Sequence, residues 1–143
     1  MLLSRALVFF QFLLIGLITW PVLGSDGWWQ GLLVTGGGLL FGFWCLLHNR
    51  PGRFNIRPEI HPQAILVTTG PYRWVRHPMY TAVFLFCMGM VLVHQTLFSV
   101  ICLILIFPVL WVKASREELY MGQQFPEYDQ QMSHKKKFVP FVL

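Results

Sequence analysis

The sequence predicts an all-α, polytopic membrane protein with four transmembrane helices. Three observations carry the prediction. The 143 residues are 55% hydrophobic and only 12% charged, with a mean hydropathy of +0.56. A water-soluble domain of this size needs a more charged surface. Apolar runs recur at about 6–24, 29–48, 79–94 and 96–112, each near the length that crosses a bilayer. All 11 lysines and arginines fall on one side of those runs. The whole chain, 1–143, reads as a single integral membrane domain.

The first run follows Arg5 and ends in "VLGS". It is long for the apolar part of a secretory signal, and Leu23-Gly24 makes a poor cleavage site, so it reads as a retained transmembrane helix. The second run contains "TGGGLLFG" (35–42). This is no phosphate loop, since no strand precedes it and no Gly-Lys-Ser/Thr follows. Gly38 and Gly42 are spaced GxxxG, which predicts close helix packing and leaves a homodimer open. Trp20, Trp28 and Trp29 are expected at the outer interface. Cys45, Cys87 and Cys102 all lie inside apolar runs without ligand-like spacing, so they are expected buried and reduced.

A loop at 49–78 joins the second run to the third. Within it, "AILVTTGPYR" reads as an extended apolar stretch closed by a Gly-Pro turn. Pro78 suits the first turn of a helix, so the third helix is expected to start there. Its positive end would favour an anion such as a carboxylate. The third and fourth runs meet at "HQT" (94–96), which predicts an antiparallel helical hairpin. Pro108 is expected to kink the fourth helix.

Topology follows from the basic residues. Arg5 precedes the first run. Arg50, Arg53, Arg57, Arg73 and Arg76 lie between the second and third, and Lys113, Arg116, Lys135, Lys136 and Lys137 follow the fourth. Four spans with both termini cytoplasmic put every one of them inside. The loop 49–78 and the tail 113–143 then share one face, where any active site must lie. Lys135–Lys137 read as a lipid-surface patch. A charge of +5 distributed this way points to membrane lipids and not to nucleic acid.

In the tail, helical character is expected to about Gly122. Lys113 stands four residues before Glu117, the spacing of a helix-face ion pair. Glu118 points about 100° away, so one carboxylate is expected to be structural and the other to turn inward to a ligand. Tyr72, Trp74 and Tyr80 add aromatic faces. No metal-ligand cluster is seen.

The ordered set "LVTTGPYRWVRHPMY", then "REEL", then "FPEY" resembles the isoprenylcysteine carboxyl methyltransferase family and the related phospholipid methyltransferases. The similarity runs from about 53 to 141. It implies an integral membrane methyltransferase that uses S-adenosylmethionine, with the loop and the C-terminal helix forming the cofactor site. By that resemblance Ile65, Leu66 and Val67 line the cofactor, and Tyr72 contacts it. His77, Pro78, Met79 and Tyr80 form the cofactor-binding His-Pro-x-Tyr, and Glu118 reaches the cofactor from across the hairpin, at its amino end. Arg73, Arg76 or Arg116 would hold an anionic acceptor.

Two departures bear on the acceptor. A substrate-contacting arginine of eukaryotic members is replaced by Ala114. The tail after Phe125 reads Pro126-Glu127-Tyr128-Asp129 and lacks the second tyrosine. The expected partners are a lipophilic methyl acceptor and membrane lipids, and the expected location is the bacterial inner membrane. The acceptor atom stays open among oxygen, nitrogen and sulfur, with a carboxylate like that of a prenyl-cysteine and the amine of a phospholipid as the two named alternatives. Two other classes fit the composition: a non-catalytic accessory protein, and a nicotinamide-dependent reductase. Against the latter, no dinucleotide-binding glycine pattern is present.

Overall fold

The computed structural model describes residues 2–20, 29–49 and 65–140. These residues form helices α1 (Leu2–Thr19), α2 (Trp29–His48), α3 (Pro78–His94), α4 (Leu97–Gln124) and α5 (Tyr128–Met132), with a one-turn 3₁₀ helix at Gly70–Arg73. Among the described residues there is no β-sheet, only an isolated bridge between Val75 and Lys136. Trp28, the arginines Arg50, Arg53 and Arg57, and half of the predicted loop, 50–64, lie outside the described residues.

Three helices, α1, α2 and α4, are long and apolar enough to cross a membrane, as an integral membrane protein requires. The third predicted span is the shorter α3. Its 17 residues rise only about 26 Å at 1.5 Å each, against a hydrocarbon core of about 30 Å.

Each helix buries a stripe set by its period. α1 turns Ser4, Leu7, Gln11, Leu14 and Ile18 inward, alternating steps of three and four along one face. That face packs on α4. α2 buries Gly31, Thr35, Gly38 and Cys45, and packs most extensively on α3. The contact is antiparallel and close. A Cβ on Gly38 would sit 2.6 Å from the Phe86 amide nitrogen, and one on Gly31 would meet the Gly89 carbonyl at 2.7 Å. Gly42 faces Ala82. The GxxxG spacing is therefore used within the chain, and α3 adds Gly89 to the same seam.

The α3–α4 hairpin turns as "HQT" predicts. Gln95 takes a left-handed conformation (φ 49°), and the Thr96 hydroxyl caps α4 by accepting from the Ser99 amide at 3.1 Å. α4 runs on through the tail's "REEL" as one helix, with Pro108 inside it. The core gathers α1, α3 and α4 around Leu14, Ile18, Met90, Cys102, Ile106 and Leu110, and Phe138 of the tail joins it. All three cysteines are free and buried.

The tail corrects one expectation. After α5 the chain doubles back along the loop. The Arg76 and His77 amides donate to the carbonyls of Lys136 and Lys137 at 2.8 and 2.9 Å. The Thr81 hydroxyl donates to the Phe138 carbonyl at 2.7 Å. Lys135 is buried, and the Lys137 side chain is only 16% exposed. Of the three lysines read as a lipid-surface patch, only Lys136 is exposed.

Candidate active site

The site forms where the loop crosses the mouths of α3 and α4. Residues 65–69 run on to Gly70, whose φ of +59° and contact with His48 both require glycine. A Cβ there would lie 2.6 Å from the imidazole. The His48 Nε2 in turn meets the Thr69 hydroxyl at 2.9 Å. The 3₁₀ turn buries Pro71. Pro78 opens α3 at its first helical position, where a missing N–H costs nothing. His77 is left buried at the joint.

His77 lies between two carboxylates. Its Nε2 is 3.0 Å from Glu118 Oε1, and its Nδ1 is 3.5 Å from Glu117 Oε2. Its ring stacks on Tyr80, centroids 5.5 Å apart. Burial alone would lower its pKa, but the two glutamates outweigh that and raise it above the ordinary histidine value. A carboxylate oxygen thus faces each ring nitrogen, at hydrogen-bond distance at Nε2 and farther away at Nδ1.

The adjacent glutamates have different surroundings. Glu118 is 15% exposed and also pairs with Arg76 at 3.1 Å and Lys137 at 3.0 Å. Burial pushes its pKa up, but His77, Lys137 and Arg76 together hold it below the ordinary carboxylate value. Glu117 is 30% exposed and accepts a hydrogen bond from the Tyr80 hydroxyl at 3.0 Å.

A cavity of about 340 Å³ opens beside them, within the roughly 300–1,000 Å³ of small-molecule sites. The loop contributes Ile65, Leu66, Val67, Tyr72, Arg76 and His77. α3 contributes Met79, Tyr80 and Val83, and α4 contributes Lys113, Glu117 and Met121. α1 closes it with Gln11, Phe12 and Ile15, and the tail with Tyr128 and Met132. Burial, with Glu117 nearby, raises the Tyr72 pKa, which keeps that phenol protonated.

The structure thus brings together most of the residues singled out in the sequence. Ile65, Leu66, Val67, Tyr72, Arg76, His77, Met79 and Tyr80 line the cavity. Pro78, Glu118, Arg73 and Arg116 do not line it. Pro78 is buried at the helix start, and Arg73 is exposed. Arg116 is taken up by Tyr120, donating to its hydroxyl at 3.1 Å. The environments of the two glutamates are the reverse of the helix-wheel expectation. Glu117 lines the cavity, and Lys113 bonds not to it but to the Gln11 side-chain carbonyl. A 100° offset fixes how far apart two side chains point, not which one meets the tail. The tail's Lys137 decides that, by binding Glu118. The first turn of α3 is also less open to an anion than expected, because the Tyr80 and Thr81 amides already donate to the His77 carbonyl.

Gln11 and Met132 escape sequence reasoning, which reads Tyr128 only as part of the tail motif and the tail lysines only as a surface patch. Gln11 did leave a signal, being a carboxamide in the middle of a transmembrane run, where a polar group commonly serves function.

Comparison with known proteins adds two findings. The profile of the phospholipid methyltransferase family matches residues 29–128, from the start of α2 to the start of α5. The nickel-cobalt-cadmium resistance protein NccN of Alcaligenes xylosoxydans xylosoxydans is 30% identical over 134 residues, covering 89% of this chain and 59% of the relative. The chain therefore spans less than two thirds of that relative's length.

Proposed function

Because the chain belongs to the phospholipid methyltransferase family, we propose that it transfers the methyl group of S-adenosylmethionine to an acceptor carried on a lipid. The observation that carries this reading is the composition of the cavity. It brings a carboxylate, Glu117, with Tyr72, Tyr80 and Arg76, into one cavity with the apolar side chains Phe12 and Ile15 of the membrane helix α1.

These residues fit the cofactor. Glu117 offers a negative charge to an amino group, and Arg76 a positive one to a carboxylate. Ile65, Leu66 and Val67 give an apolar bed, and Tyr72 and Tyr80 flat faces, for a nucleoside. When bound, the cofactor supplies an electrophilic methyl group on a positively charged sulfur. The protein's own contribution is to place the two reactants and exclude water. Glu118 contributes by holding His77 and Arg76 against the cavity from behind.

The surroundings of His77 and Glu117 bear on the acceptor. An amine or phenol must lose a proton to react, and the two groups that could take it already have partners, His77 with both glutamates and Glu117 with the Tyr80 hydroxyl. A carboxylate needs no base. Its methylation also removes one charge of each sign, which a dry site favours. The reading is therefore a carboxylate O-methyltransferase, with an amine of a phospholipid as the second choice. In the membrane, α3 completes a four-span topology with both termini cytoplasmic, and the cytoplasmic membrane is the expected location.

Calorimetric titration of S-adenosylmethionine into the purified protein tests this. Glu117→Gln is expected to weaken binding by about 1.5–3 kcal/mol, the worth of a charge-assisted hydrogen bond. Unchanged affinity in that variant removes Glu117 from the role. No binding by folded wild type, in detergent and again in lipid, ends the methyltransferase reading.

A further inference from the structure

Lys113 is the most deeply buried charged side chain among the described residues, 1% exposed, and it lines the cavity. Its partner there is neutral, the Gln11 carbonyl across the α1–α4 seam. The Tyr80 ring lies under it, 5.3 Å from Nζ to the centroid. Among the described residues no carboxylate comes within 4.0 Å of it. A buried ammonium is costly unless an anion accompanies it.

The three arginines considered for an anionic acceptor are placed elsewhere or already engaged. Arg73 is exposed, Arg116 binds Tyr120, and Arg76, held by Glu118 and by the Lys135 carbonyl, is the residue assigned above to the cofactor carboxylate. Among the described residues Lys113 is therefore the cavity cation that makes no salt bridge, with the charge of Glu117 acting on it only from farther away. A groove between α1, α2 and α3, whose lining includes Gly38 and Gly42, shares Ile15, Met79 and Val83 with the cavity that Lys113 lines.

From this juxtaposition we infer that Lys113 is the anion-recognition residue of the site, binding the single negative charge of an amphiphile whose tail follows that groove. The inference rests on the methyltransferase reading only for what happens next. If the anion is a carboxylate, one oxygen accepts from Lys113. The other forms the new O–CH₃ bond as the S–CH₃ bond breaks, giving a methyl ester and a neutral thioether with no proton moved. The ester has lost the charge that Lys113 held, which favours its departure. If the anion is a phosphodiester, Lys113 anchors the headgroup and a different atom is methylated.

The test is lipid binding to the full chain in maltoside, followed by tryptophan fluorescence, with palmitate, palmitoyl lysophosphatidylglycerol and uncharged monopalmitoylglycerol as probes. Wild type is expected to prefer one of the two anions to the neutral lipid by about tenfold or more, the effect of one charge-assisted contact. Lys113→Met is expected to erase that preference and Lys113→Arg to restore part of it. Which anion wins identifies the acceptor's charged group. No preference in wild type, or the full preference kept in Lys113→Met, overturns the assignment. Should Lys113→Met fail to fold, carbon-13 NMR of labelled lysine decides on wild type. The signal missing from Lys113→Arg must shift with the preferred anion and stay still with monopalmitoylglycerol. S-adenosylmethionine titrations run alongside: their failure in wild type sinks the methyltransferase reading and leaves the anion site standing.

Discussion

Two seams hold the molecule together, and they are built in opposite ways. Along the α2–α3 seam, Gly31, Gly38 and Gly89 bring two backbones into contact by removing side chains. Along the seam between the tail and the loop, Lys135, Lys137, Arg76, His77 and Glu118 bring backbones together by burying charged side chains. In lipid, helices gain little from hydrophobic exclusion, so small residues and van der Waals fit carry the first seam. At the polar mouth of the helices, strand-like backbone needs partners, and the second seam supplies them. The difference teaches where change is tolerated. The first seam has no room for added volume, and the second has no tolerance for a lost charge.

The largest expected effect comes from breaking the first seam. Gly38→Leu forces a side chain into the backbone of Phe86 and is expected to destabilise by about 1–3 kcal/mol or more. Its neighbour Gly37 has nothing within 4 Å of a Cβ. Gly37→Ala is expected to be neutral or to stabilise by up to about 1 kcal/mol, the helix-propensity difference. Thermal unfolding in detergent compares the two. Equal costs would mean that the seam is not specific to the Gly38 face.

The same contrast explains what the sequence disclosed. The first seam was legible because helical period and residue size are local properties: GxxxG, the apolar runs, Pro78 and the "HQT" turn all appear in the structure as helices and their ends. The motif residues of the cavity were legible through their resemblance to a family. The second seam was not legible, because it depends on a return of the chain over roughly 60 residues, from Arg76 to Lys135. No periodicity announces that contact, and a run of three lysines reads as solvated until a partner is found for each. The reversal of Glu117 and Glu118 has the same origin, since Lys137 chooses between them. Gln11 belongs with these, placed in the cavity by α1, which lies outside the stretch that carries the family match.

The second seam should show its charges in a pH profile. His77 has its pKa raised by Glu117 and Glu118 against the effect of burial. Its contribution is full below the ordinary value of 6.5 and is lost as pH climbs through the raised value. Glu118 has its pKa lowered by His77, Lys137 and Arg76, again against burial. Its contribution is full above the ordinary value of 4.5 and is lost as pH drops through the lowered one. Stability from the pair is therefore complete between 4.5 and 6.5 and declines on both sides. Glu118→Gln is expected to cost about 1.5–3 kcal/mol within that window and to reduce the dependence on both limbs. Denaturant titrations at several pH values check it, and a variant profile parallel to wild type would show that the pair does not govern tail docking.

The finest comparison lies inside the run of lysines. Lys135 is buried, and its ammonium donates to the Tyr72 carbonyl at 2.9 Å, with Thr68 O at 3.4 Å and Met132 Sδ at 3.2 Å. Lys136 is exposed, and only its backbone enters the seam, through the carbonyl that accepts from Arg76. Lys135→Ala removes the donor and strips a half-buried carbonyl of its partner, so about 1–3 kcal/mol is expected to be lost. Lys136→Ala keeps the carbonyl and should stay within about 0.5 kcal/mol of wild type. Limited proteolysis of the tail, read beside unfolding, separates them: Lys135→Ala should expose residues 133–140 to cleavage while the helices remain protected. If Lys136→Ala loosens the tail equally, then net positive charge near the membrane surface holds it down, and the individual contacts of Lys135 do not.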